Sequence, residues 1–523
     1  MKITFLGHAG ALIEAGDVRL VCDPWFSPRG AFLSGWHQLP DNSACTDLLT
    51  QATHVYVSHD HEDHFDTDVL RGLDESVELI SANYPLPSWH RLVEGLGHTR
   101  TTLLDDGQTL RAGQLLLHLI TSPTARHQDS ALIVQDTVTG EVVVNLNDCQ
   151  TDRDQLRALR RRHPRIDVVL AQYSGATWYP FVYEFPAGRQ RELAAAKKVN
   201  SMRRWADYMK ILRPRTAVAF AGPPALLDPD LRTHSRGPGS IFTTPVELQQ
   251  WLQETDPGLA ERCVAPLPGD VLDVTSSTMR EDPGIRRDFA WDRLEEYTAR
   301  YAKRRAPDIQ AVLSACPEPT QDLYPAFAAH FEALFAVAPK ACAAVDCIVG
   351  FDIRGTGGGQ WSVDFTTGQI QRDEHTPPSQ HDYRFTLESR FVPGILRGER
   401  SWEEFFFSFR FQAWRPSVNA YNEELMSLLS RSDPQDLAVY CTRMEQARGH
   451  EPGSFRLTTA NGDLEISNTC PHMGALLGPE DYDPRLGAIV CPRHSWQFTV
   501  PDGTCANGRA TLDIHPPTHD QAS

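Results

Sequence analysis

Two groups of residues in this chain have the types and spacing to hold metal. The first is Cys470-Pro471-His472, followed after eighteen residues by Cys491-Pro492-Arg493-His494. Two thiolates and two imidazoles on two short loops suit either tetrahedral zinc or a two-iron, two-sulfur cluster with cysteines on one iron and histidines on the other. The pairs are Cys-x-His and Cys-x-x-His, not the Cys-x-x-Cys and His-x-x-x-His of zinc sites. Gly474 closely follows the first histidine, and Ser495-Trp496-Gln497-Phe498 follows the second. The cluster reading therefore stands above zinc. The second group is His59-Asp60-His61-Glu62-Asp63-His64. Alternating histidines followed by an Asp-His pair can face two neighbouring metal positions, which a solvated charged loop has no reason to do. An electron-transfer cluster and a second metal site in one polypeptide point to redox chemistry, with electrons moving from the first to the second.

These residues need rigid elements behind them. Up to about residue 275, apolar strand-like runs alternate with helical stretches. Ile3–Leu6, Val18–Val21, His54–Val57, Leu115–Leu117, Ala131–Val134 and Val142–Val144 are strand candidates. Asp23, His59 and Asp148 follow three of them closely, which is how a layered α/β fold builds a site just past its strand ends. Lys197–Leu212 predicts an amphipathic helix stopped near Pro214. Residues 276–305 are charged and predict a helical linker. From 306 to 432 the character is α+β: a helix over Tyr324–Val337, strands over Cys347–Ile353 and Gln360–Phe365, and an aromatic stretch over Trp402–Trp414. Residues 433–515 show short strands and turns around the cysteine-histidine pairs, and 516–523 predict a disordered tail.

A chain of 523 residues is long enough for two to four domains. Its net charge of -18 argues against nucleic-acid binding. No apolar run is long enough to cross a membrane, and the start shows no secretory pattern, so a cytoplasmic location is expected. Eleven cysteines scattered over this length do not form a disulfide framework. Arg203, Arg204, Lys197 and Lys198 offer a phosphate or carboxylate site, although a solvated helix face is the plainer reading.

The C-terminal pairs resemble Rieske [2Fe-2S] domains. The loops lack the extra cysteine pair of the respiratory-complex proteins; Met473 and Arg493 stand in that neighbourhood. This is similar to the oxygenase and ferredoxin class. Leu6-Gly7-His8-Ala9-Gly10, Asp23-Pro24-Trp25, the His59–His64 loop, His127-Gln128-Asp129-Ser130 and Asn145-Leu146-Asn147-Asp148-Cys149 together resemble the lactonase-like and phospholipase-like branch of the metallo-β-lactamase superfamily. That resemblance implies an αββα domain in which His59, His61 and His127 form one metal position and Asp63, His64 and Asp148 the other. The final histidine of the second position is missing from Ala219–Pro224, and His234 is a weak substitute. A single iron therefore becomes credible. His8 is as much a packing residue as a functional one.

Taken together with Phe220-Ala221-Gly222 and Pro268-Gly269-Asp270, the chain resembles the CMP-N-acetylneuraminate hydroxylase family, which pairs a Rieske domain with this fold. That family carries the Rieske domain at the N-terminus, whereas here it is C-terminal, so the sialic-acid substrate is not carried over. Ser401–Phe405 and Arg415-Pro416 weakly resemble a sterol-carrier-protein-like domain, with a docking scaffold as the equal alternative.

The expected fold is thus multidomain: an α/β metallo-β-lactamase domain over 1–275, a linker, an α+β sterol-carrier-like domain over 306–432 and an all-β Rieske domain over 433–515. The expected activity is that of a Rieske-coupled non-haem iron monooxygenase. Cys470, His472, Cys491 and His494 would hold the cluster, and the six N-terminal residues would hold iron, or alternatively zinc or manganese. Its partners would be an external electron donor (a ferredoxin, a reductase or a cytochrome b-type protein) and a small-molecule substrate, for which an anion is one option; an oligomer is compatible. The competing reading is a zinc- or manganese-dependent hydrolase with a regulatory or structural cluster. The oxygenase reading carries one condition: the two ends must meet in space, in the chain or in its oligomer.

Overall fold

The computed structural model describes all residues except 123–127, 238, 373–379, 432, 449–452, 461, 473, 494 and 518–523, and no side chains at 444–448. The chain divides into two compact units. The first comprises Met1–Ser122, Gln128–Pro317 and Glu404–Arg410; the second comprises Glu318–Glu403 and Phe411–Ser523.

The first unit is built on two large sheets. One runs Thr278–Arg280, Val271–Asp273, Lys2–Gly7, Gly10–Ala15, Val18–Cys22, His54–Val57, Glu78–Ala82, Thr101–Leu104. The other runs Cys263–Val264, Thr216–Phe220, Val168–Gln172, Val142–Asn147, Ser130–Asp136, Leu115–Thr121, Thr109–Ala112. Val142–Asn147 is buried along its whole length, the pattern of a strand covered on both faces. The sheets meet through the edge-on rings of Phe5 and Phe220 and through a hydrogen bond of 2.8 Å between the hydroxyls of Tyr56 and Ser130. On the outer face of the second sheet, Trp205, Met209 and Leu212 of helix Ala187–Leu212 join Leu156 and Leu159 over Val144, Val169 and Ala217. On the outer face of the first, Trp89 of helix Pro87–Glu94 donates to the Ala82 carbonyl at 3.0 Å. The arrangement is the αββα sandwich expected from the sequence.

Within each sheet a block of strands runs parallel: Val18–Cys22 through Thr101–Leu104 in the first, and Val142–Asn147 through Cys263–Val264 in the second. Parallel pairing sends the carboxyl ends of successive strands to one edge, where His59, Asp148 and Gln172 lie next to or at those ends.

The helix expected over Lys197–Leu212 starts ten residues earlier, at Ala187, and ends where Arg213 takes a left-handed conformation before Pro214. Residues 276–305, expected as a helical linker, contain a strand as well as helices. Thr278–Arg280 pairs with Val271–Asp273, and helix Leu294–Ser314 buries Tyr297 and Tyr301 beside Leu227 and Leu267. Charge on the outer face hid this apolar stripe. Among the described residues no single helix is long and apolar enough to cross a membrane.

The strip Glu404–Arg410 enters the first unit from far along the sequence. Arg410 makes a buried ion pair of 2.7 Å with Asp228 and donates to the Leu33 carbonyl at 3.1 and 3.2 Å. Gly35 allows this approach: a Cβ there would lie 2.8 Å from the Ser408 carbonyl oxygen.

The second unit holds a five-stranded sheet, Gln369–Arg372, Gly359–Asp364, Ile348–Arg354, Tyr383–Glu388, Phe411–Trp414. Phe327 and Phe331 of helix Tyr324–Val337 pack on Phe351, and Phe327 also meets Trp361. Two three-stranded sheets follow, Ser454–Thr459 with Gly462–Ser467 and Ile514–His515, and Tyr482–Asp483 with Ala488–Val490 and Gln497–Thr499. Cys470 and Cys491 sit in their shared core with Ile466, Ile489 and Phe498.

Two outcomes follow from the Arg410 anchor. Arg410→Met leaves the Asp228 carboxylate buried without its partner and should cost about 3–5 kcal/mol in chemical denaturation. His37 lies beside it, its pKa pulled down to about 3 by burial and by the Arg305 and Arg410 guanidiniums. The unfolded chain therefore binds a proton that the fold rejects, and stability should be full above about pH 6.5 and fall as the pH is lowered. His37→Asn should flatten that acid limb by about 3 kcal/mol near pH 4.

Candidate metal centres

The N-terminal centre is assembled from strand ends. After His54–Val57 the chain turns at Ser58, whose N–H and hydroxyl donate to the two Asp23 carboxylate oxygens at 2.8 and 2.9 Å. Asp23 is fully buried and also lies 3.1 Å from Nδ1 of His64. His59 meets the Ser58 hydroxyl through Nδ1 at 2.9 Å, which leaves its Nε2 facing inward, 3.0 Å from Nδ1 of His61. The His59 and His64 ring centroids are 4.2 Å apart. His8, at the end of Lys2–Gly7, reaches Asp63 at 2.9 Å. Asp148, past the end of Val142–Asn147, accepts from the Gln172 amide at 2.6 Å through one oxygen.

Ligand atoms of His59, His64 and Asp148 lie within 4.8 Å of one another, as do those of His8, Asp63 and His64. His64 Nε2 is 3.7 Å from Asp148 Oδ1 and 3.9 Å from Asp63 Oδ2. Neither His64 Nε2 nor Asp148 Oδ1 has a hydrogen-bond partner among the described residues. These separations are too long for hydrogen bonds but match two ligands of one ion, each about 2 Å from it and hence roughly 3–4 Å apart. The charges agree. Burial would strip the proton from His64, yet Asp148, Asp63 and Asp23 together push its pKa well above the ordinary value. Burial raises Asp63, but His64 and His8 outweigh it and bring it to about 2. Carboxylates around a buried imidazole call for a cation, and a metal ion meets that need as well as a proton does.

His127 lies outside the described residues. The Ala219–Pro224 loop reaches the site, since the Ala221 N–H donates to the His8 carbonyl at 3.2 Å, but it carries no imidazole. His234 stacks on Phe181 at 4.7 Å instead, and burial lowers its pKa.

The backbone around the site is strained. His8, Asp23, Asn147 and Ala221, each just after or at a strand end, have φ of 51°, 41°, 39° and 52°. Phe32, Leu33 and Ser34 form a left-handed run with φ of 52°, 55° and 59°. Left-handed residues other than glycine cost about 1–2 kcal/mol each, so the surrounding structure must hold them. The Glu62 carboxylate accepts the Phe32 N–H, and Arg410 holds the Leu33 carbonyl. The run sets the Phe32 ring edge-on to His61 at 6.1 Å, beside Phe407, which meets His61 at 4.8 Å. Phe407 was not readable as a site residue; the only signal was the aromatic density of Trp402–Trp414.

On the far side of Asp148, Gln172 also accepts from Arg204 at 3.4 Å. Lys198 pairs with Glu247, whereas Lys197 has no carboxylate within ion-pair distance among the described residues and lies 5.9 Å over the Tyr179 ring. Burial and neighbouring Arg204 pull the Lys197 pKa down to about 8.

The C-terminal frame is two copies of one turn. The Cys470 N–H donates to the Ala475 carbonyl and the Gly474 N–H to the Cys470 carbonyl, each at 2.8 Å; Cys491 with Trp496 and Ser495 repeats both bonds, again at 2.8 Å. The fifth residue of each turn is left-handed, with φ of 70° at Gly474 and 60° at Ser495. Both cysteines are 1% exposed. Twin turns presenting buried thiols fit a cluster held from two loops. His472 stacks against Trp496, with ring centroids 3.7 Å apart; His494 lies outside the described residues.

Fold and sites together define a Rieske iron-sulfur protein fused to a β-lactamase-type metal domain. Residues 2–218 match the Beta-lactamase superfamily domain, 323–440 the Rv3818-like, SCP2-like domain and 455–516 the Rieske [2Fe-2S] domain. The chain belongs to the family of Rieske 2Fe-2S iron-sulfur proteins that includes one from Mycolicibacterium smegmatis, 30% identical over 534 residues and covering 97% of this chain and 98% of that protein. The Mycobacterium tuberculosis member is 30% identical over 543 residues, with the same coverage. Cytidine monophosphate-N-acetylneuraminic acid hydroxylase of Danio rerio is 26% identical over 289 residues, which span 52% of this chain and 46% of that enzyme.

The left-handed fifth position is glycine in one turn and serine in the other, a difference that can be tested. A Cβ on Gly474 would meet no atom of the described residues within 4 Å, so Gly474→Ala should destabilise the Rieske domain through backbone strain, by about 1 kcal/mol. Ser495→Gly should stabilise it by up to about 1 kcal/mol, read as opposite shifts of the denaturation midpoint.

Proposed function

We propose that this protein is an oxidoreductase of the hydroxylase type, a Rieske-coupled non-haem iron monooxygenase. The observation that carries the reading is the presence in one chain of a Rieske ligand frame and a buried His-Asp nest that demands a cation. The relationship to the N-acetylneuraminic acid hydroxylases supports it. When loaded, the [2Fe-2S] group would supply single electrons and the N-terminal iron would supply dioxygen activation.

The residues divide the remaining work. His59, His61, His64, Asp63 and Asp148 would hold the iron, with His127 as a further ligand; Cys470, His472, Cys491 and His494 would hold the cluster. Ser58 and Asp23 fix the ring orientations of His59 and His64 before any metal arrives. Phe32 and Phe407 wall the His61 side with apolar surface, which excludes water from the reacting centre. Lys197 and Arg204 give the Gln172 side a cationic edge, suited to orienting a small anionic substrate. A ferredoxin, a reductase or a cytochrome b-type donor would provide the electrons. The loop at Ala221 offers no imidazole, which favours this reading over a two-metal hydrolase.

Anaerobic purification followed by metal analysis should find iron beyond that of the cluster, and His64→Ala should lose that extra iron while keeping the cluster. Turnover should need reductant and place oxygen from labelled dioxygen in the product, and Cys470→Ala should abolish it. Zinc in the N-terminal site, with turnover indifferent to dioxygen and reductant, would establish the hydrolase instead.

A further inference from the structure

The Rieske histidine His472 is gripped from outside its own domain. Its Nε2 lies 2.8 Å from Oε2 of Glu423, with the two side chains only 5% and 11% exposed. Glu423 falls within the segment that matches the SCP2-like domain, and His472 within the Rieske segment. The carboxylate is itself held. Its other oxygen accepts from the Ser427 hydroxyl at 3.0 Å. Glu423 opens the helix Glu423–Ser430, whose cap Asn422 accepts from the Leu425 N–H at 2.9 Å and donates to the Val345 carbonyl at 2.7 Å. Trp496 stacks on the His472 ring at an interplanar angle of 11°, and Tyr421 stands edge-on to both rings. Trp496 and Glu423 therefore fix the orientation of the imidazole, with Glu423 as a partner on its outer nitrogen.

A carboxylate can only accept, so the hydrogen of His472 must be on Nε2. That leaves the Nδ1 lone pair for iron. A negative charge on the outer nitrogen also makes the ring a stronger donor, which favours the oxidised cluster over the reduced one. We infer that Glu423 is the positioning and redox-tuning residue of the Rieske centre: it sets the iron-binding tautomer of His472 and lowers the reduction potential. The SCP2-like domain thereby has a part in electron transfer whether or not it binds a ligand of its own. The inference rests on the Rieske site alone and is independent of what the N-terminal metal does.

The test is an EPR-monitored redox titration of the full-length, cluster-loaded protein. Glu423→Gln keeps an acceptor of the same shape and removes the charge. It should leave the rhombic Rieske signal in place and shift the reduction equilibrium about tenfold toward the reduced form, which is about 59 mV more positive for one electron. Ser427→Ala removes the competing donor, concentrates charge on His472 and should move the potential the other way. A merely structural Glu423 would change cluster content or stability without this pair of opposite shifts. A loaded Glu423→Gln protein with the wild-type potential overturns the inference. If that variant fails to load, Ser427→Ala decides: a more negative potential supports the inference and an unchanged one overturns it. A wild-type protein with no Rieske signal would overturn the cluster itself, a result separable from either.

Discussion

Three carboxylates, Asp23, Asp63 and Asp148, surround one buried imidazole, His64, and the first unit is organised around that concentration of negative charge. Water cannot screen charges at a fully buried ring, so the carboxylates need a positive partner held among them. The parallel strand blocks deliver the groups to a common edge, but parallel pairing alone would let the strands run on past it. At that edge His8, Asp23, Asn147 and Ala221 turn left-handed, at or just after the ends of four strands. Strain of this kind persists only where neighbours over-determine it. Here the neighbours are the hydrogen bonds that also aim the ligands. The Ser58 N–H on Asp23 is one; the Asn147 side-chain amide on the Ser130 carbonyl at 3.0 Å is another.

The same constraint explains why a strip from the middle of the chain belongs with the first unit. Phe407 shields His61, and it can do so only while Arg410 stays paired with Asp228 and bonded to Leu33. The left-handed Phe32–Ser34 run and the Glu404–Arg410 strip support each other: the run offers Arg410 a carbonyl, and Arg410 holds the run in a conformation it would otherwise leave. The apolar wall beside the candidate metal thus depends on a buried ion pair formed between residues far apart in sequence.

How much of this could be read from the chain depended on sequence distance. The His59–His64 loop and the paired cysteine loops are legible because a local turn gathers adjacent residues, and their spacing encodes the geometry. The strands Ile348–Arg354 and Gly359–Asp364 and the helix Tyr324–Val337 follow from periodicity for the same reason. The packed character of 276–305 was masked because its buried tyrosines are outnumbered by outward charges. Phe407 and Glu423 gave no local signal at all. An aromatic in an aromatic stretch looks like core, and a glutamate opening a helix looks like an ordinary match to the helix dipole. Each gains a role only through a contact that the tertiary fold creates.

The outer partners of the ligand imidazoles, near or far in sequence, share one physical purpose. An imidazole can bind metal through either nitrogen, and its outer partner decides which. The Ser58 hydroxyl takes one nitrogen of His59, Asp23 takes one of His64, and Glu423 takes one of His472. In each case the partner is anchored by bonds of its own: Ser58 to Asp23, and Glu423 to Ser427 behind the cap at Asn422. A partner with a free side chain would have to be ordered when the metal bound, at a cost in rotamer entropy. With the partners ordered by the fold, that cost is met on folding, and the ligands stand ready in a fixed tautomer. The sequence motifs specify which atoms can bind metal, while the outer partners, adjacent for His59 and distant for His64 and His472, specify which nitrogen does.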